Sequence, residues 1–183
     1  MEGPAAIFLE KMEGYFGAEP QFYKGVPAKD GLMPPAVLVF KNFPEYGFTT
    51  CVTYGLSFSD HPAWKMKRRP ELVMTVNSRN VAWATALADM VSEMRGQFPF
   101  SYGQTIICPG KMVEASAMDG FLVFAPPFLT REQYLDIDIG VEGYKICLTG
   151  IYPVTQNEIA LLNKVGLERF WKREGFDCFD VYR

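Results

Sequence analysis

Asp136 and Asp138 form the pair whose type and spacing could do chemistry. In the segment YLDIDI they alternate with Leu135, Ile137 and Ile139. A strand over 134–139 would put both carboxylates, and Tyr134, on one face, with the two acids roughly 6.5–7 Å apart. Such a pair could serve general acid–base catalysis or hold a cation. The plainer reading is a solvated strand face, with partner binding next. Glu132 and Glu142 lie nearby in sequence. A hairpin here would present an acidic, tyrosine-bearing surface suited to a basic partner.

Other routes to chemistry are closed by composition. His61 is the single histidine and sits in Asp60-His61-Pro62, with no serine or cysteine motif beside it. A histidine-based triad would have to use this one residue, which reads as a structural or solvent-facing loop position, and multi-histidine metal sites within one chain are ruled out. Cys51, Cys108, Cys147 and Cys178 are far apart and form no C-x-x-C pair, so free buried thiols are expected rather than a zinc site. No glycine-rich phosphate loop occurs. Gly55 in TYGLS reads as a bulge or a close backbone approach. No cofactor and no metal is expected. Trp83 and Trp171 fit a core, whereas Trp64 stands in a polar loop over 60–70. The run Lys65-Met66-Lys67-Arg68-Arg69 in that loop reads as a solvated turn, and a net charge of −3 does not point to nucleic acid.

The elements that would position these residues follow from periodicity and punctuation. A chain of 183 residues with 49% apolar content supports one sizeable core and a single domain over 1–183. Residues 4–15 fit a short amphipathic helix with Pro4 in its first turn. An irregular connection follows, with a short edge strand at 21–26. Strands are expected at 36–41 and 48–57, paired as an antiparallel hairpin, and at 71–76. Val81, Ala84, Leu87, Ala88, Val91 and Met94 mark a helix over 80–95, with Ser78 as N-cap and Gly96 as its stop. Short strands at 105–108 and 121–125 precede a long one at 144–152, ended by Pro153. Thr155 and Glu158 form a capping box that starts the next helix. Gly166 breaks it before a second short helix, and the tail packs through Phe176 and Phe179. This order gives an α+β fold with a mixed, largely antiparallel sheet flanked by helices. Charges in the first sixteen residues interrupt any leader, and no apolar run approaches membrane-spanning length. With the unpaired cysteines, a reducing cytoplasm is expected.

Several ordered pieces resemble the Suppressor of fused domain family. They are Thr53-Tyr54-Gly55-Leu56-Ser57, Arg69-Pro70-Glu71-Leu72-Val73-Met74-Thr75, the helix containing Trp83, Phe100-Ser101-Tyr102-Gly103-Gln104-Thr105, and Thr149-Gly150-Ile151-Tyr152-Pro153-Val154-Thr155 leading to Glu158. Gln104 departs from the acidic or histidine residue expected there. The resemblance implies a sandwich-like, non-enzymatic protein-binding module, similar to the compact bacterial members rather than to the longer animal protein with its second domain. Those bacterial members resemble cytoplasmic immunity proteins that neutralise toxins, or are uncharacterised, and an immunity role is one expectation for this chain. The contact face is expected at Tyr134, Asp136 and Asp138, with Trp64 and the basic loop as the second choice. Partners are expected to be protein, not nucleic acid or membrane. The rival reading is a carboxylate-dependent hydrolase or transferase using Asp136 and Asp138.

Overall fold

The computed structural model describes residues 3–27 and 30–183. Among these residues seven strands form one sheet: β1 (Gln21–Lys24), β2 (Ala36–Lys41), β3 (Thr49–Tyr54), β4 (Arg68–Val76), β5 (Thr105–Ile107), β6 (Gly120–Phe124) and β7 (Lys145–Val154). Their order is β1-β2-β3-β4-β7-β6-β5. All neighbours are antiparallel except β4 and β7, which run side by side in the same direction with Arg68 opposite Lys145 and Val73 opposite Gly150. The expected α+β class with a mostly antiparallel sheet is therefore observed.

Side chains alternate across these strands, and both faces are covered. Helix α2 (Ala82–Met94) packs on the face carrying Val39, Cys51, Leu72, Met74 and Ile151. Helix α1 (Pro4–Phe16) packs Phe8, Met12 and Phe16 on the opposite face, against Leu38, Phe40, Val52 and Leu148. Tyr152 and Val154 share the α1 side with Ile146 and Leu148 by the two-residue period of β7. There they meet α4 (Gln156–Val165) and α5 (Leu167–Trp171) through Ile159, Leu162 and Phe170. A sheet buried on both faces explains why β3 and the second half of β4 read as continuous buried runs rather than alternating ones.

Local chemistry accounts for the boundaries. Thr155 Oγ1 accepts from the Glu158 amide at 3.2 Å, and the Thr155 amide donates to Glu158 Oε2 at 3.0 Å, completing the expected capping box. β7 runs through Pro153 to Val154 instead of stopping at the proline. Pairing with β4 has already ended at Gly150, so no ladder on that side needs the missing Pro153 N–H. Ser78 is not the N-cap of α2. The helix begins at Ala82, whose amide donates to Asn80 Oδ1 at 3.0 Å. Ser78 acts one step earlier, accepting from the Asn80 amide at 3.2 Å. β4 begins at Arg68 rather than Glu71, so Arg68 and Arg69 belong to a strand and not to a turn.

The expected strand over 134–139 does not form. Residues Arg131–Tyr134 make a single helical turn, α3, whose start is fixed by the Thr130 amide donating to Gln133 Oε1 at 2.8 Å. Asp136 then takes a left-handed conformation (φ 55°), which breaks any extended run. One bridge, Ile137 to Ile146, is all that remains of strand pairing. Ile137 and Ile139 are still buried and Asp136 and Asp138 exposed, so the expected alternation of faces holds on a backbone that is not extended.

Candidate functional site

The parallel pair β4–β7 brings two strand starts to the same end of the sheet. On the α2 side of that end, alternation points Arg68 and Pro70 of β4 and Cys147 and Thr149 of β7 outward together. Helix α2 does not reach this region. It is replaced by the 98–104 segment, the 60–67 loop and α3, which form the walls of a groove of about 430 Å³. Tyr102 comes from the first, Trp64 and Lys65 from the second, and Arg131 and Tyr134 from the third.

Trp64 and Tyr134, distant in sequence, thus line one surface. Trp64 is half-buried, and its indole N–H donates to the Pro99 carbonyl at 2.8 Å, tying two walls together. His61 sits beside it, ring centres 5.8 Å apart, and its Nδ1 accepts from the Ala63 amide at 3.1 Å. That histidine shapes its own loop.

Asp136 stands on the outer shoulder of the groove and Asp138 farther round. Asp136 takes a two-pronged hydrogen bond from Arg68, Nε and Nη2 each at 2.6 Å. That guanidinium holds the Asp136 carboxyl below the usual carboxylate range. Asp138 Oδ1 accepts from the Gly140 amide at 2.9 Å, and Lys145 Nζ lies 3.7 Å from its other oxygen. The amide and the ammonium hold its carboxyl low as well. Each acid has its own cation, so the expected acidic face is locally neutralised. Neither carboxyl is held protonated, the condition a general acid needs near pH 7.

The remaining polar groups are also quiet. Burial pushes the Cys147 thiol up to about 11, although Arg68 pulls against it. Burial, with Tyr134 and Cys147 nearby, pushes the Tyr102 phenol up to about 12. Neither ionises near neutrality, and a thiol of this kind is a poor nucleophile. All four cysteines are free, and Cys51 alone is fully buried while the other three are half-exposed at the edges of the core.

Arg68, Arg131, Tyr102 and Cys147 were not singled out from the sequence. Arg68 was legible only as part of a basic run. Cys147 carried a signal, because it alternates with buried Ile146 and Leu148 and therefore faces the other way. Arg131 carried none, since its role depends on a helical turn that the sequence pattern disguised as strand.

Beneath the groove, Glu71 joins two of the ordered sequence pieces. Its carboxylate accepts from the Thr53 hydroxyl at 2.6 Å, the Gly55 amide at 2.8 Å and the Ser57 amide and hydroxyl at 3.0 and 2.7 Å. TYGLS and RPEL are two halves of one hydrogen-bonded unit. Among the described residues no group of three His, Cys, Asp or Glu side chains is placed to hold a metal ion, and no helix is long and apolar enough to cross a membrane.

A family model for the Suppressor of fused protein (SUFU) matches residues 31–183. The chain belongs to the SUFU family. The fold of this SUFU domain is similar to a SUFU homologue from Neisseria gonorrhoeae, with a TM-score of 0.72 at 18% identity over 97% of this chain and 93% of that one. It is also similar to Drosophila Suppressor of Fused, with a TM-score of 0.71 at 13% identity over 98% of this chain and 50% of that one. A chain from the Sufu–Fu complex aligns with a TM-score of 0.68 at 12% identity, over 98% and 89% of the two chains. A search of curated proteins finds no match. The SUFU domain spans half the length of the Drosophila chain, and the TM-scores establish a shared fold. The sandwich-like architecture implied by the resemblance is here one sheet with helices on both faces.

Proposed function

We propose that this SUFU domain binds another protein without catalysing a reaction, and that the β4–β7 groove with Trp64 and Tyr134 is its contact surface. The observation that carries this reading is the groove itself. It offers aromatic side chains and cations on a concave, accessible surface, the residue types enriched where proteins dock. The acids beside it, Asp136 and Asp138, are paired with cations, and the Cys147 thiol and Tyr102 phenol in its wall are held neutral, which fits recognition better than bond-making. A SUFU chain solved as the Sufu–Fu complex supports protein binding as the mode of action. The finer reading is a cytoplasmic immunity protein that covers a toxin's surface.

The test uses this protein and its Trp64→Ala and Tyr134→Ala variants as baits for quantitative capture and cross-linking. The partner captured by the parent protein should fall by roughly tenfold or more with either variant, as for a central aromatic anchor. Equal capture by all three would remove the groove from the interface. A hydrolase screen on parent and Asp136→Asn protein addresses the rival. Activity abolished by that one change would favour the enzyme.

A second surface is favoured by a different observation. β5 is an outer strand of the sheet, its Ile107 is 60% exposed, and Met90, Met94 and Met112 line the concavity between β5 and α2. An open strand edge beside flexible methionines can accept a partner segment. Cross-links mapping to Ile107 rather than to Trp64 would select it.

A further inference from the structure

The β4–β7 groove has a sign that sequence order conceals. Lys65, Arg68 and Arg131 line it, and no carboxylate does. Arg68 is matched by Asp136 on the outer shoulder, which fixes the direction of its guanidinium. Lys65 and Arg131 have no ion-pair partner among the described residues. Glu132 and Asp136 flank Arg131 on the outer shoulder, but within the groove two unpaired cations stand between aromatic walls, on a molecule whose formal net charge is −3. The hydroxyls of Tyr102 and Tyr134 carry no hydrogen-bond partner among the described residues, so both can donate at the same place. Pro70, Leu135 and the ring of Trp64 supply the apolar part.

Cations with no acid in the groove lining, two unpartnered phenols and an apolar part together define the complement. We infer that the occupant of this groove is an acidic protein segment bearing an aromatic or aliphatic side chain. The inference rests on the protein-binding reading above and reverses the sign that the paired aspartates suggested. Carboxylates of the segment meet Lys65 and Arg131 and accept from the two phenols, while its apolar side chain lies against Trp64 and Pro70. Arg presents a flat fork to a carboxylate and Lys a point charge, so Arg131 sets geometry and Lys65 adds attraction. Nearby apolar walls strengthen both contacts relative to open water. A nucleic acid would also bring negative charge, but two free cations on a net-acidic chain are few for a phosphate backbone.

A displayed library of random decapeptides, selected on the full chain, tests this. Counter-selection uses the Lys65→Glu and Arg131→Glu variants, both exposed positions whose folding is checked by thermal melting. The enriched pool should be net acidic with a recurrent aromatic or aliphatic residue. Its best member should bind roughly tenfold more weakly to either variant and lose affinity as salt rises. Tyr102→Phe and Tyr134→Phe should weaken it further while leaving the fold intact. A groove-dependent pool that is neutral or basic overturns the acidic occupant and leaves protein binding standing. Absence of any groove-dependent peptide, or displacement by a single-stranded RNA decamer, overturns both.

Discussion

Glu71 shows how much one residue can organise when it has no countercharge. Its carboxylate is fully buried, and burial pushes it up, while the Thr53 and Ser57 hydroxyls and the Gly55 and Ser57 amides pull it back. The other side of the same turn is held by two guanidiniums. Arg95 donates to the Gly55 carbonyl and Arg69 to the Ser57 carbonyl, each at 3.0 Å. The turn needs Gly55, because φ is 127° and a Cβ there would sit 3.0 Å from Pro35 Cα. Replacing Glu71 with glutamine puts an N–H₂ where an acceptor is needed and strands at least one buried donor. It should cost about 1–3 kcal/mol, read as a lower urea midpoint. An unchanged midpoint would mean the carboxylate is not what holds the turn. Gly55 was legible in the sequence as a close approach. Glu71 was not, because its partners lie 14 to 18 positions away and its apolar neighbours made it look like an ordinary strand residue. A second residue-level expectation concerns Cys147. With its thiol near 11, alkylation by iodoacetamide followed by mass spectrometry should be slow at pH 7 and rise steeply only above pH 10. Rapid labelling at neutrality would contradict the neutral thiol in the groove wall.

At the scale of elements, local signals were readable and tertiary choices were not. The Thr155–Glu158 box, the Pro4 start of α1 and the 36–41 strand each depend on neighbours in sequence, and each forms as expected. The 134–139 segment failed because two-residue alternation also arises in an irregular stretch that a single bridge anchors over a core. The groove depends on the parallel pairing of β4 with β7, some seventy residues apart, which no local pattern announces. Glu158 links the two levels. Beyond capping α4, it accepts from Arg183 at 2.9 Å and Arg173 at 2.5 Å, clamping the chain after α5 to the helix start. Burial alone would raise its carboxyl, but the Arg183 and Arg173 guanidiniums and the Thr155 amide overcome that and hold it low. A depressed folded value means the stabilisation is present above the ordinary carboxylate range and lost as pH falls through the folded value. Glu158→Gln should therefore lower stability by about 2 kcal/mol at pH 7 and flatten the acid-side loss. Urea midpoints between pH 7 and 3 measure both, and parallel pH curves for the two proteins would refute the clamp. Gly150, in the middle of β7, is the converse case, where absence of a side chain matters. A Cβ there would run into the Ala125 carbonyl, so Gly150→Ala should cost about 1–3 kcal/mol by overpacking, seen in the same denaturation assay.

Taken as a whole, the molecule separates charge from fold. Composition gives a mildly acidic chain, and that average suggests nothing about partners. The sheet order then gathers Lys65, Arg68 and Arg131 at one end, where Asp136 pairs with Arg68 on the outer shoulder and no acid lines the groove itself. A local positive field on an acidic body acts mainly on encounter, because attraction between separated molecules reaches about one Debye length and salt shortens that reach. The partner identified by bait capture should therefore associate faster at low salt. Its association rate should drop roughly tenfold on going to high salt, with dissociation changing far less. Arg131→Glu should reproduce that drop at low salt. Lys172→Glu should not, since Lys172 follows α5 outside the groove lining and is already paired with Glu168 at 2.7 Å. Surface plasmon resonance across a salt series separates the two variants. If both slow association equally, the effect belongs to net charge and not to the groove. If neither does, the cations at the start of β4 have no part in recognition.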